Sequence, residues 1–230
     1  MMQGYLVLNG GEAFSPRTRQ ADYAWLQHIR REPNRPRLVV IPVAVMENPR
    51  RAADQTMRYF SHLATFAEFR MIVDRLSANE PENYEGLDKL EALVFPDGSP
   101  IDMVERLRDT RTLDAVRRAV TERKAAVMGT GASAMVLGAA YWFAHEWLPG
   151  LGLLPHLAVL PHHNLIQMRL PPERLLADLP SDVTLFGVDE ATTLICHPDG
   201  SFQVAGEGAV TVYHSIEEQT EYTDGATFTL

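Results

Sequence analysis

Residues Ala125 to Ala140 read Ala-Ala-Val-Met-Gly-Thr-Gly-Ala-Ser-Ala-Met-Val-Leu-Gly-Ala-Ala, and this stretch decides the fold. Ala125–Met128 is apolar without period-2 alternation, which predicts a short strand buried on both faces. Gly129-Thr130-Gly131 predicts a tight turn of small residues. Ala132–Ala140 is apolar on nearly every face, which predicts a core helix. A strand, a sharp turn and a buried helix make up a nucleophile elbow, which holds one side chain above a sheet while small neighbours let the backbone pass close by. Gly131 stands where that side chain is expected. Ser133, two residues on, is the candidate to take its place.

Outward from the elbow, strands and helices alternate. Tyr5–Leu8 is a buried strand ended by Asn9-Gly10-Gly11, and a helix with Ser15 as N-cap and Pro16 in its first turn carries Tyr23, Trp25, Leu26 and Ile29. Leu38–Val45 is a second strand, Pro49–Ala67 a long helix, Phe69–Val73 a third strand and Leu93–Phe95 a fourth. Apolar positions at helical spacing predict helices over Ile101–Leu107 and Leu113–Arg123. This rhythm argues for an α/β fold with a doubly wound, mainly parallel sheet of the flavodoxin-like kind. In such sheets the site lies at the carboxyl ends of the strands, so Gly10-Gly11, Asp97-Gly98 and Gly129–Gly131 should converge.

After residue 145 the rhythm changes. Gly150-Leu151-Gly152-Leu153-Leu154-Pro155 leads into a strand, Leu157–Leu160, that delivers Pro161-His162-His163-Asn164. A short helix over Pro171–Leu179 follows. Short strands at Thr184–Val188, Thr192–Cys196, Phe202–Ala205 and Val210–Tyr213, separated by Gly-containing turns, predict an antiparallel C-terminal extension of the sheet. Residues 1–214 read as a single domain and 215–230 as an acidic tail, with Ile216–Asp224 expected to be partly mobile.

Composition bounds the function. A chain of 230 residues is long enough for one α/β domain with a substantial core. Its formal charge of −9 argues against a nucleic-acid partner, since binding phosphates needs a basic face. No run of 18 apolar residues and no charged n-region with an h-region are present, so neither a membrane partner nor a secretory signal is expected. The lone cysteine, Cys196, excludes an intramolecular disulfide and fits a reducing cytoplasm. Within Thr-Thr-Leu-Ile-Cys it reads as an inert core thiol. Homo-oligomerisation is left open.

Taken together, these segments resemble the dipeptidase E and cyanophycinase family of serine peptidases, which have a class I glutamine amidotransferase-like fold. The match runs from about Gly4 to Tyr213. Gly10-Gly11-Glu12 resembles the family's opening Gly-Gly-x-Glu, and Val40-Ile41-Pro42-Val43-Ala44 its second strand and Pro-x-Ala turn. Met128-Gly129-Thr130-Gly131-Ala132-Ser133-Ala134 lies over its Gly-x-Ser-Ala-Gly-Ala elbow. Gly150-Leu151-Gly152-Leu153-Leu154-Pro155 is the most specific piece, and counting along from it places the catalytic histidine on His162. Gly187-Val188-Asp189-Glu190 resembles the family's Gly-Ile-Asp-Glu, which supplies or neighbours the acidic partner. Two departures bear on activity. The family's serine falls on Gly131 and its following glycine on Ser133, and the Gly-Gly that shapes the oxyanion pocket reads Asp97-Gly98 here.

Two functions from different classes follow. The resemblance, with its departures, implies a degenerate peptidase that lacks the standard nucleophile and keeps a pocket for a small peptide or acidic small molecule. Its nucleophile position and oxyanion pocket would be Gly131, Ala132, Gly98 and Asp97. The alternative is a working serine hydrolase or exopeptidase on Asp-containing peptides, with Ser133 as nucleophile, His162 as base, and Glu190 or Asp189 as orienter. Against it, Ser133 in the first helical turn is rotated about 200° from residue 131. Met135 also stands where an elbow wants a glycine. A Ser133 bonded to nearby backbone is then an ordinary helix-start residue. His163 replaces His162 if the register slips by one. Glu12 reads as structural. His156, His162, His163 and Glu190 match no zinc spacing, so no metal and no other cofactor is expected.

Overall fold

In the computed structural model, which describes residues 2–31 and 33–230, the sequence from Tyr5 to Thr130 alternates strand and helix. The elements are β1 (Tyr5–Asn9), α1 (Arg19–Ile29), β2 (Arg37–Val40), α2 (Pro49–Ser61), β3 (Phe66–Phe69), α3 (Pro81–Tyr84), β4 (Ala92–Phe95), α4 (Pro100–Leu107), α5 (Arg111–Thr121) and β5 (Ala126–Thr130). The second half holds α6 (Ala132–Val136), β6 (Ala140–Phe143), β7 (Glu146–Pro149), β8 (Leu157–Leu160), α7 (His163–Ile166) and α8 (Pro172–Leu176). It ends with β9 (Thr184–Val188), β10 (Thr192–Cys196), β11 (Phe202–Gly206), β12 (Ala209–Tyr213), β13 (Gln219–Thr223) and β14 (Thr227–Phe228).

The large sheet has the order β14-β11-β10-β1-β5-β4-β2-β3. Its β1, β5, β4, β2 and β3 are parallel, and β10, β11 and β14 extend it antiparallel from β1. The fold class is the expected one. The apolar runs bury both faces because successive side chains point to opposite sides. Val7, Leu38, Val40, Val94 and Met128 pack against Trp25 and Leu26 of α1 and Phe60 of α2. Leu6, Leu8, Val39, Leu93, Phe95 and Val127 face α4, α5 and α6 on the other side. A second sheet, β13-β12-β9-β8, packs there too through Phe186, Val188, Val210 and Val212.

Several boundaries differ from the sequence expectation, each for a visible reason. α1 starts at Arg19, not at Ser15, because Ser15 N donates to Thr18 Oγ1 (3.2 Å) and closes a separate turn. α2 stops at Ser61. Ala64 then takes a left-handed φ of 59°, Thr65 Oγ1 donates to Phe60 O (2.9 Å), and the third strand forms at Phe66–Phe69 instead of Phe69–Val73. The elbow helix ends at Val136, short of Ala140. The carbonyls of Leu137, Gly138 and Ala139 accept instead from Leu153, Gly152 and Gly150 N–H at 2.8–2.9 Å, which frees Ala140–Phe143 for a hairpin with β7. The acidic end is strand: β13 pairs with β12, β14 pairs with β11, and Tyr222 stacks on Phe228 at 3.7 Å.

Candidate active site

The carboxyl ends of β4, β5 and β1 lie side by side in the sheet, and the elbow sits between them. Gly131 has φ 53° and ψ −125°, a combination that residues with a Cβ adopt only under strain. Its N–H donates to Asn9 O at 3.0 Å, which hangs the turn on the end of β1. A Cβ on Gly129 would lie 2.7 Å from Ala134 N, so α6 rests directly on the β5 backbone. Gly129→Ala should therefore destabilise the fold by about 1–3 kcal/mol, read as a lower urea midpoint. An unchanged midpoint would show that this close approach bears no load.

Asp97, at the end of β4, reaches across to the elbow. Its Oδ1 accepts from Gly98 N and from Ala132 N, each at 2.8 Å. A Cβ built on Gly131 would overlap all three atoms of the Asp97 carboxylate. The carboxylate thus fills the volume where a side chain on residue 131 would begin. Oδ1 also holds the two backbone N–H groups that flank that volume. Ser133 lies elsewhere. It is wholly buried in α6, and its Oγ donates to Pro96 O at 2.7 Å. Among the described residues no hydrogen bond joins it to a histidine.

His162 follows β8 in a left-handed conformation (φ 53°, ψ 33°), and its N–H donates to Gly10 O at 2.7 Å. Gly131 and His162 are therefore tied to consecutive carbonyls of the β1 end. The imidazole Nδ1 lies 3.0 Å from Glu190 Oε1. An ionised carboxylate only accepts, so Nδ1–H is the donor and Nε2 of the neutral ring is left as a base. Asn164 steadies Glu190, accepting from its N–H at 3.0 Å and approaching Oε2 through Nδ2 at 3.4 Å. The ring occupies space that a side chain on Gly11 (φ 128°) would take.

His163 points the other way. It is wholly buried, with Nε2 2.7 Å from Tyr213 Oη and Nδ1 3.4 Å from Asp189 Oδ1. Burial pushes the Asp189 carboxyl up, but the hydrogen bonds from His163 and from Ala209 N outweigh it and hold the group below the usual carboxylate range. The neighbouring histidines thus take neighbouring carboxylates, one pair over the Gly10-Gly11 turn that follows β1 and one inside the second sheet.

A cleft of about 590 Å³ opens beside Asp97, with Phe14, Ala52, Gln55, Pro96 and Thr130 in its wall. Thr130 Oγ1 is buried there without a hydrogen-bond partner. Glu12, on the rim, pairs with Arg17, which also reaches Glu207 at 2.7 Å. A smaller cavity near Ile29, Arg37 and Phe66 lies at the opposite, amino ends of the strands and touches none of these groups. Among the described residues no three His, Cys, Asp or Glu side chains gather as metal ligands, and His156 sits exposed beside Asp182 at 3.6 Å.

Sequence reading missed two positioning residues. Asn9 is buried, donates to Thr192 O (3.2 Å) and Thr193 Oγ1 (3.1 Å), and accepts from Gly11 N (3.0 Å), which shapes the turn under His162. Asn164 is the other. A polar residue ending an apolar strand was the only signal for Asn9, and adjacency to the histidines the only one for Asn164.

Comparison with known proteins agrees with the fold. No family model matches the chain. A cyanophycinase from Synechococcus elongatus is 29% identical over 156 residues, which covers 62% of this chain and 47% of the relative. The chain thus spans about half the length of that curated relative. The crystal structure of a peptidase from an acI-B1 actinobacterium superposes with a TM-score of 0.85 at 23% identity, covering 100% of this chain and 98% of the other. A putative peptidase E from Listeria monocytogenes superposes with a TM-score of 0.60 at 13% identity, covering 90% and 100%.

Proposed function

We propose that this relative of the dipeptidase E and cyanophycinase peptidases has abandoned the acyl-serine route while keeping the surroundings of the missing serine. The observation that carries the reading is the Asp97 carboxylate, which fills the space above Gly131 and accepts from Gly98 N and Ala132 N. Acyl transfer needs a nucleophile beside a base, and N–H donors free for the oxygen that becomes charged. Residue 131 has no side chain to attack with, and the donors are engaged. The His162–Glu190 pair and the cleft remain. The ligand we assign to that cleft is a small peptide-like or acidic molecule, with its acidic group held away from Asp97 by like charge.

The rival reading, with Ser133 as nucleophile, requires its hydroxyl to leave Pro96 O and the buried side of α6. A serine-directed fluorophosphonate probe separates the two. Wild-type protein is expected to stay unlabelled at every serine near the cleft. A probe adduct on Ser133 that is abolished by Ser133→Ala would overturn the proposal. No helix among the described residues is long and apolar enough to cross a membrane. Burial pushes the Cys196 thiol far up, which supports its reading as an inert core residue.

A further inference from the structure

The serine is gone, yet the parts that would serve one are kept. These are a histidine with a basic Nε2, a carboxylate on its Nδ1, and two N–H donors at the elbow. In acyl transfer such donors receive the oxygen of a substrate carbonyl. Here both already hold Asp97 Oδ1, so an incoming carbonyl finds them taken. The tetrahedral oxyanion they are placed to stabilise is therefore one formed at Asp97's own Cγ. That centre arises when water attacks an ester of Asp97. The inference rests on reading Gly131 as the vacated nucleophile position.

We propose that Asp97 is itself a covalent nucleophile, and that the chain hydrolyses small alkyl compounds whose leaving group departs as a stable anion. Carboxylates are established covalent nucleophiles in enzymes, and attack at saturated carbon needs no oxyanion hole for the substrate. Asp97 Oδ2 forms a bond to the alkyl carbon as the carbon–leaving-group bond breaks, and the electron pair goes with the anion. Phe14, Ala52 and Pro96 supply apolar wall for the alkyl group. His162 Nε2 then takes a proton from water, and the water oxygen attacks Cγ. Oδ1 carries the charge between Gly98 N and Ala132 N. Collapse breaks the bond from Cγ to the alkylated oxygen, and the alkoxide takes the proton back from His162. The sum is alkyl halide plus water giving alcohol, halide and a proton. The alcohol keeps the old Oδ2, and Asp97 acquires the oxygen of water.

The test uses 1-bromobutane and 2-bromoethanol with the full chain. Wild-type protein turned over in ¹⁸O-labelled water is expected to show ¹⁸O in the Asp97 peptide by mass spectrometry. His162→Gln, which cannot activate the water, is expected to accumulate the alkyl ester on that peptide, with saturation in probe. Asp97→Ala, checked for folding by circular dichroism, is expected to lose both signals completely. If neither ¹⁸O uptake in wild type nor an ester in His162→Gln appears with either probe, the proposal is overturned. The loss-of-serine reading would survive that outcome, because it falls only to fluorophosphonate labelling.

Discussion

Gly131→Ser alone is expected to stay essentially unlabelled by a fluorophosphonate probe, whereas Gly131→Ser combined with Asp97→Gly is expected to be labelled. The single change asks a Cβ to enter space that the Asp97 carboxylate fills, while Oδ1 still holds Gly98 N and Ala132 N. A hydroxyl placed there meets a negative charge and has no free donors for the developing oxyanion. Removing the carboxylate frees both donors at once. Loss of one such donor typically lowers rate by about 10²–10³-fold, so the double variant should react faster than the single by at least that order. The backbone is already shaped for the elbow. Holding a non-glycine residue at φ 53°, ψ −125° costs about 1–3 kcal/mol, which both variants should show as a lower urea midpoint. Equal labelling of the two variants would mean that Asp97 does not block the site. No labelling of either would mean that His162 is not placed to activate position 131.

The elbow's register was legible because Gly129, Gly131 and the small residues after them leave one way for a helix to sit on a strand. The convergence of Gly10-Gly11, Asp97-Gly98 and Gly131 followed from the strand ends alone. The end of α6 was not legible. Leu137–Ala139 keep helix-like composition, and only the distant Gly150–Leu153 loop, by taking their carbonyls, ends the helix. The same kind of long-range pairing turns the acidic end into β13 and β14. Asp97 marks the sharper limit. The family resemblance marked it only as a departure from Gly-Gly. That its carboxylate lies on both elbow donors depends on how β4 and β5 sit next to each other. Of the two adjacent histidines, counting from Gly150–Pro155 did pick His162, the one that meets Glu190, but the left-handed turn that aims it is a conformation its residue type does not announce.

Stability is expected to fall as pH rises from about 4 to 7.5, and Asp22→Asn should remove most of that fall. Asp22 is wholly buried in α1, where it accepts from Trp25 Nε1 at 3.0 Å and from Tyr59 Oη at 2.6 Å. Burial pushes its carboxyl up to about 6 from an ordinary 3.8, against the opposing pull of those hydrogen bonds. Between the two values the folded chain binds more proton than the unfolded one, so the slope of stability against pH is negative. The contribution is fully present below the unfolded value and is lost as pH rises through the folded one. A shift of that size corresponds to about 3 kcal/mol. Asparagine keeps an acceptor and cannot ionise. Urea unfolding of both proteins at pH 4 and 7.5 should therefore show the wild type losing about 2.5 kcal/mol more than the variant across the interval, since part of the contribution is already gone at pH 4. Parallel losses in the two proteins would assign the pH dependence to other groups. The consequence reaches the candidate site. Tyr59 belongs to α2, whose Ala52 and Thr56 line the cleft, and its ring packs on Phe14 at 5.7 Å in the same wall. Ionising Asp22 loads a buried charge onto the contact that fixes that wall, so ligand binding in the cleft should weaken over the same pH interval in wild type and not in Asp22→Asn.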